Sequence, residues 1–212
     1  MESSSYIGVA GTQPTDDIKD IAHCDRRGVE RYRTVCRVAR VQRANDAGLW
    51  RVRNISNEGL MLAADTPATV GEMIDISLSE TTTMRGTIVW TKRGFCGVAF
   101  DRPIDVAAVL RRLAEEQRSE GYRALRLPVE AQAVIALRDD ARPIDLVDIS
   151  QHGAGFLYDQ VLDPGTEVEL ILPGGDVRRR ALVRWSRGHR GGLWFAQQLD
   201  RTALESMALL RR

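Results

Sequence analysis

Three guanidinium groups fall within six residues at Arg26, Arg27 and Arg31, with the last two spaced as Arg-x-x-x-Arg. An arginine fork can give two parallel hydrogen bonds to a phosphate or to the O6 and N7 edge of guanine, and its plane can stack on a base. A second polar cluster follows at Asn54-Ile55-Ser56-Asn57-Glu58-Gly59. On a strand, Asn54 and Ser56 share one face and present an amide and a hydroxyl to whatever lies outside it. Gly59 offers either a positive-φ turn or a bare backbone that a ligand can approach. The same residues also compose a good hairpin turn, in which Asn and Ser bond their own backbone and Gly closes the loop. On residue types alone, both readings stand.

Short strand-like runs must position these residues. Runs at 34–41, 50–55, 60–63, 73–78, 86–91 and 96–100 alternate apolar and polar residues, separated by turn signals such as Asn45-Asp46 and Arg93-Gly94. Residues 104–118 switch to a helical period, with Ile104, Ala108, Leu110 and Leu113 set against Arg111, Arg112, Glu115 and Glu116. After Gly121 the order repeats, with strand-like runs at 131–137, 144–149, 155–158, 167–172, 180–185 and 192–195 and a helical stretch at 202–210.

The repeat is legible in individual residues. Asn54 to Gly59 matches Asp148-Ile149-Ser150-Gln151-His152-Gly153. Gly71 matches Gly165, Trp90 matches Trp185, Gly97 matches Gly192 and Phe100 matches Phe195, all at an offset of 94 or 95. The chain of 212 residues therefore reads as a duplicated small domain. The expected fold is all-β with peripheral helices: two tandem six-stranded barrels, each followed by a helix. The expected boundaries are a mobile tail at 1–25, a first domain at 26–118 and a second at 119–212.

Arg-x-x-x-Arg before a first strand, followed after some 20 or more residues by Asp/Asn-x-Ser-x-x-Gly, resembles the PilZ family. Its members are small β-barrels that bind cyclic di-GMP. The resemblance covers nearly everything from Arg26 onward, as two copies. It implies a cyclic di-GMP receptor whose site comprises Arg26, Arg27, Arg31, Asn54, Ser56 and Gly59. It also implies that Arg26, just before the motif, influences whether one or two ligand molecules bind. The second copy departs from the pattern. Aligning Arg126 with Arg31 puts Tyr122 where the first arginine belongs, and Arg123 is one residue too close. A weaker second site would comprise Arg123, Arg126, Asp148, Ser150 and Gly153. Loss of one charge-assisted contact costs about 1.5–3 kcal/mol, roughly ten- to a hundredfold in affinity.

Other classes are disfavoured. Formal net charge is +1 and aromatic content 6%, which provide neither the basic groove nor the stacking platform of a nucleic-acid barrel, and no nucleic acid is expected. Nearly all positive charge is arginine, Lys19 and Lys92 being the only lysines. No stretch approaches the ~20 apolar residues of a membrane span, and the polar start lacks a signal peptide, so a cytoplasmic protein is expected. Cys24, Cys36 and Cys96 read as reduced thiols, and scattered His23, His152 and His189 complete no metal site. No catalytic constellation, cofactor motif or metal motif is found. Trp90, Trp185, Phe100 and Phe195 read as core residues of alternating strands. The leading reading is a ligand-operated adaptor for an unidentified protein partner, with motility, attachment or exopolysaccharide output. The alternative is a nucleotide-independent interaction module of the same fold.

Overall fold

The computed structural model describes residues 37–120, 123–137 and 140–210. Arg26, Arg27, Arg31, Tyr122, His23, Cys24, Cys36 and the expected tail at 1–25 lie outside the described residues. The first barrel is built from β1 (Arg37–Gln42), β2 (Ala47–Ser56), β3 (Gly59–Ala63), β4 (Met73–Ser77), β5 (Thr83–Lys92) and β6 (Phe95–Phe100). They close in the order β1-β2-β3-β6-β5-β4, every pair antiparallel. Closure removes the free edges that short strands would otherwise expose. Strict alternation turns Leu60 and Leu62 of β3 and Ile74 and Ile76 of β4 into the core, with Trp50, Val52, Ile88 and Val98. Cys96 joins them as a free, buried thiol, and that burial pushes its pKa up to about 11.

Helix α1 (Val106–Arg118) follows the barrel. Asp105 caps it by accepting the Ala108 N–H, and Val106 and Leu113 are buried against the first core. The second barrel repeats the topology with β7 (Leu127–Leu137), β8 (Asp140–Ser150), β9 (Gly153–Leu157), β10 (Glu167–Ile171), β11 (Arg178–Arg187) and β12 (Arg190–Phe195). Duplication extends to irregular backbone. Bulges at Arg53 and Val147, and at Val89 and Arg184, fall at equivalent places in the two copies. Gly71 and Gly165 share a φ of 89°, and each donates its N–H into the equivalent strand, to Ile88 O and Val183 O.

The helical stretch expected at 202–210 is divided into a 3-10 turn (Arg201–Leu204) and a single α-helical turn, α2 (Met207–Leu210). The interruption at Glu205 has a tertiary cause. Its carbonyl accepts the Trp50 Nε1–H at 2.8 Å, and its carboxylate accepts the Asp65 N–H at 2.6 Å. The first of these bonds occupies the carbonyl that a continuous helix would use, and the second anchors the Glu205 side chain to the first barrel. The two barrels belong to one compact unit, and this C-terminal segment docks on the β1–β2 hairpin. Ala208 N donates to Asp46 Oδ1 at 3.1 Å, and Arg40 donates to the Arg126 carbonyl at 3.1 Å. Ala47 and Leu49 of the first barrel are buried within the second barrel's apolar cluster. Among the described residues no helix is long and apolar enough to cross a membrane.

Candidate functional site

Ile55 points into the core, so Asn54 and Ser56 share the outer face of β2, as their spacing requires. The Ser56 hydroxyl is engaged by its own turn, donating to the Gly59 carbonyl at 3.2 Å. In the second copy Ser150 donates to the Gly153 carbonyl at 3.2 Å and accepts the His152 N–H at 3.3 Å, with only 3% of the residue exposed. The turn also receives the chain that leaves the last strand. Phe100 N and Ile104 N donate to the carbonyls of Glu58 and Asn57, as Phe195 N and Leu199 N donate to those of His152 and Gln151. The Asn57 side chain further accepts the Val106 N–H at the start of α1. The Ser-x-x-Gly half of the motif is thus a structural junction in both barrels.

Of the two readings of Gly59, the structure agrees with the hairpin turn that Ser56 and Gly59 close. The glycine's φ is not positive, and its bare face does not lie open to a ligand: a Cβ there would stand 2.2 Å from the Val98 carbonyl of the neighbouring strand. Gly153 meets the Leu193 carbonyl at 2.1 Å in the same way. Both glycines exist so that β6 or β12 can approach the turn.

Asn54 is half-buried on the outer face. Register places it in a row across four strands: Asn54 opposite Met61, Met61 opposite Gly97, and Gly97 opposite Trp90. The equivalent row in the second barrel is Asp148, Gly155, Gly192 and Trp185. Trp90 and Trp185 correct the core reading. They are 41% and 40% exposed, whereas Phe195 is buried and Phe100 packs against the core. The bulges at Val89 and Arg184 shift the alternation by one residue, so each tryptophan emerges on the outside and lies over the glycine opposite. A Cβ on Gly97 would come within 1.9 Å of Trp90 Nε1, and one on Gly192 within 2.2 Å of Trp185 Nε1. The signal was present in sequence as a Trp and a Gly seven apart in each copy, around a hairpin.

In the second barrel Arg126, on the segment entering β7, forms an ion pair and hydrogen bond with Asp148. Asp148 Oδ1 also accepts the Gly155 N–H at 3.0 Å. Arg123 is exposed and is not brought to this pair by any hydrogen bond or ion pair among the described residues. No group of three His, Cys, Asp or Glu is placed to hold a metal among the described residues.

The PilZ domain family model matches residues 25–116 and again 111–212. No curated protein matches the chain. Among solved structures, the chain is similar to the PlzA protein of Borreliella burgdorferi in complex with c-di-GMP, at 11% identity and a TM-score of 0.36, over 82% of this chain and 85% of that one. It is also similar to the inhibitor of motility of Bacillus subtilis, at 14% identity and a TM-score of 0.31, over 79% and 91% of the two chains. YcgR from Escherichia coli in complex with c-di-GMP aligns at 14% identity and a TM-score of 0.28, over 77% and 76%.

Proposed function

Because this chain belongs to the PilZ domain family, we propose that its first barrel is a cytoplasmic receptor for cyclic di-GMP, acting as an adaptor rather than an enzyme. Arg27 and Arg31 clamp the ligand, Arg26 adds a third guanidinium, and Asn54 meets a guanine edge or phosphate from the barrel face. The observation that carries this reading is the Arg126–Asp148 pair. Arg126 corresponds to Arg31 and Asp148 to Asn54 in the internal repeat. Within one chain, the second copy therefore illustrates an approach-segment arginine meeting the first polar residue of the turn motif. In the first copy that residue is a neutral amide, which cannot neutralise an arginine and leaves its charge for a phosphate.

The second barrel supports a different role. Asp148 is already paired, Ser150 is buried in its turn, and Tyr122 replaces the first clamp arginine. We assign it to the ligand-independent business of holding the first barrel and presenting a surface to a protein partner. Motility, attachment or exopolysaccharide secretion is the proposed output.

Calorimetric titration with cyclic di-GMP is the test. Arg27→Ala and Arg31→Ala are each expected to weaken binding at least tenfold, as loss of a charge-assisted bond requires, while the melting temperature of the unliganded protein stays within about a degree. Asp148→Ala is expected to leave affinity within about twofold. Unchanged affinity in both arginine variants would remove the proposal, and a large loss in Asp148→Ala would move the site to the second barrel. Stoichiometry measured in the same titration is expected to fall from two to one in Arg26→Ala.

A further inference from the structure

Beside the Asn54 row lies a second outward-facing row, in which Val38, Arg51, Ala63 and Phe95 are paired in sequence across β1, β2, β3 and β6. A cavity of about 190 Å³ opens over it. The second barrel completes the walls, with Gln151 from its motif turn and Arg201 and Glu205 from the segment after its last strand. Three more arginines line the cavity from the first barrel: Arg51, Arg53 at the β2 bulge, and Arg93 on the β5–β6 hairpin.

The electrostatics of this cavity are one-sided. Two carboxylates, Asp65 and Glu205, face four guanidinium groups, and Glu205 already spends an oxygen on the Asp65 N–H. Among the described residues none of the four arginines forms an ion pair, in a molecule where Arg40, Arg43, Arg85, Arg126, Arg142 and Arg179 all do. Arg51 Nε is buried with no hydrogen-bond partner. Arg53 is braced over the Phe95 ring at 5.9 Å. The buried donor without an acceptor carries a cost, and the exposed guanidinium groups of Arg53, Arg93 and Arg201 gather further positive charge around the cavity. A multi-oxygen anion supplies the missing acceptor and the countercharge together, since each fork can give paired hydrogen bonds to its oxygens.

Size restricts the class. Sites for drug-sized ligands run to about 300–1,000 Å³, and this cavity of about 190 Å³ matches a compact oxyanion with a few waters. We propose that it is a binding site for a phosphate-class oxyanion, distinct from the Asn54 site, in which Arg51, Arg53 and Arg93 of one barrel and Arg201 of the other close around the anion and fasten the barrels together. The inference does not depend on nucleotide binding at Asn54.

Inorganic phosphate is the probe, with sodium chloride at matched ionic strength as the reference. Thermal unfolding of the full chain is expected to shift upward with phosphate and to saturate, as required when an anion binds only the folded state. Arg51→Gln and Arg201→Gln keep much of the side-chain length and remove the charge. Each is expected to weaken the phosphate response at least tenfold, while melting no lower than wild type in anion-free buffer, because neither arginine forms an ion pair among the described residues. Arg102→Gln, outside the cavity, is expected to respond as wild type does. Equal melting of the wild-type chain in phosphate and chloride, or an undiminished response in both cavity variants, would overturn the site. Two further arms separate it from the nucleotide site. Arg31→Ala is expected to keep the phosphate response, and Arg201→Gln is expected to keep cyclic di-GMP affinity within about twofold. Loss in the first would place the phosphate on the motif arginines, and a tenfold loss in the second would make the cavity part of the nucleotide site. Either result overturns a separate oxyanion site.

Discussion

Ser56 and Asn54 stand two residues apart on the same face, and Ser56 is the one bonded to the turn. The serine hydroxyl closes its own turn, so Ser56→Ala is expected to lower the stability of the unliganded protein by about 1 kcal/mol, the usual net worth of such a bond. Gly59→Ala drives a methyl group into the Val98 carbonyl and is expected to be more damaging, at about 1–3 kcal/mol. Urea unfolding of both variants checks the order. A serine variant that unfolds like wild type yet binds cyclic di-GMP weakly would reverse the assignment and make Ser56 a ligand contact. The sequence could not separate these roles, because serine is suited to both and only the position of the Gly59 carbonyl decides.

At the scale of the element, barrel closure depends on joining β1 to β4, one of the two seams between the meanders, the other being β3 to β6. The Arg43–Glu72 pair staples the turn after β1 to the loop before β4, with hydrogen bonds of 2.6 and 2.8 Å from Nε and Nη2 to the two carboxylate oxygens. Arg43 also lies 5.7 Å from the centre of the Trp50 ring. The bond from Arg43 holds the Glu72 carboxyl below its ordinary value of 4.5, outweighing the opposing effect of burial. A depressed folded pKa gives stability that is fully present above 4.5 and lost as pH falls through the folded value. Glu72→Gln is therefore expected to be less stable than wild type at pH 7, with the difference shrinking below pH 4.5. Denaturant unfolding across that range measures it, and a gap that persists unchanged at pH 3 would deny the linkage.

Over the whole molecule, the two barrels are joined by a contact that neither contains alone. Gly48 lies against the Glu205 carbonyl, where a Cβ would stand 1.9 Å from the oxygen, and the same carbonyl accepts the Trp50 indole N–H. Gly48→Ala must push the C-terminal segment off the β1–β2 hairpin. It is expected to break that hydrogen bond, change the fluorescence of Trp50 and split a single unfolding transition into two. One unaltered cooperative transition with wild-type emission would show that the barrels are held together elsewhere. Because Arg201 belongs to the same segment, loosening it also opens the arginine-lined cavity.

Alternating residues of β3 and β4, the helical period before Arg118 and the offset between the copies were legible in the sequence because they are local or periodic properties. So was the outward pairing of Asn54 with Ser56, which follows from a strand's period of two. Trp90 and Trp185 were not, since one unpaired residue at Val89 or Arg184 reverses the face of everything beyond it, and a bulge is fixed by the partner strand. The role of Gly59 was hidden for a similar reason: the atom it avoids is 39 positions away, at Val98. The break at Glu205 and the cavity between the barrels depend on groups brought together from opposite ends of the chain, Trp50 and Arg51 against Glu205 and Arg201. Sequence periodicity reports which side of an element is apolar; only tertiary structure decides which polar groups from distant elements meet, because that depends on how closed barrels dock against each other.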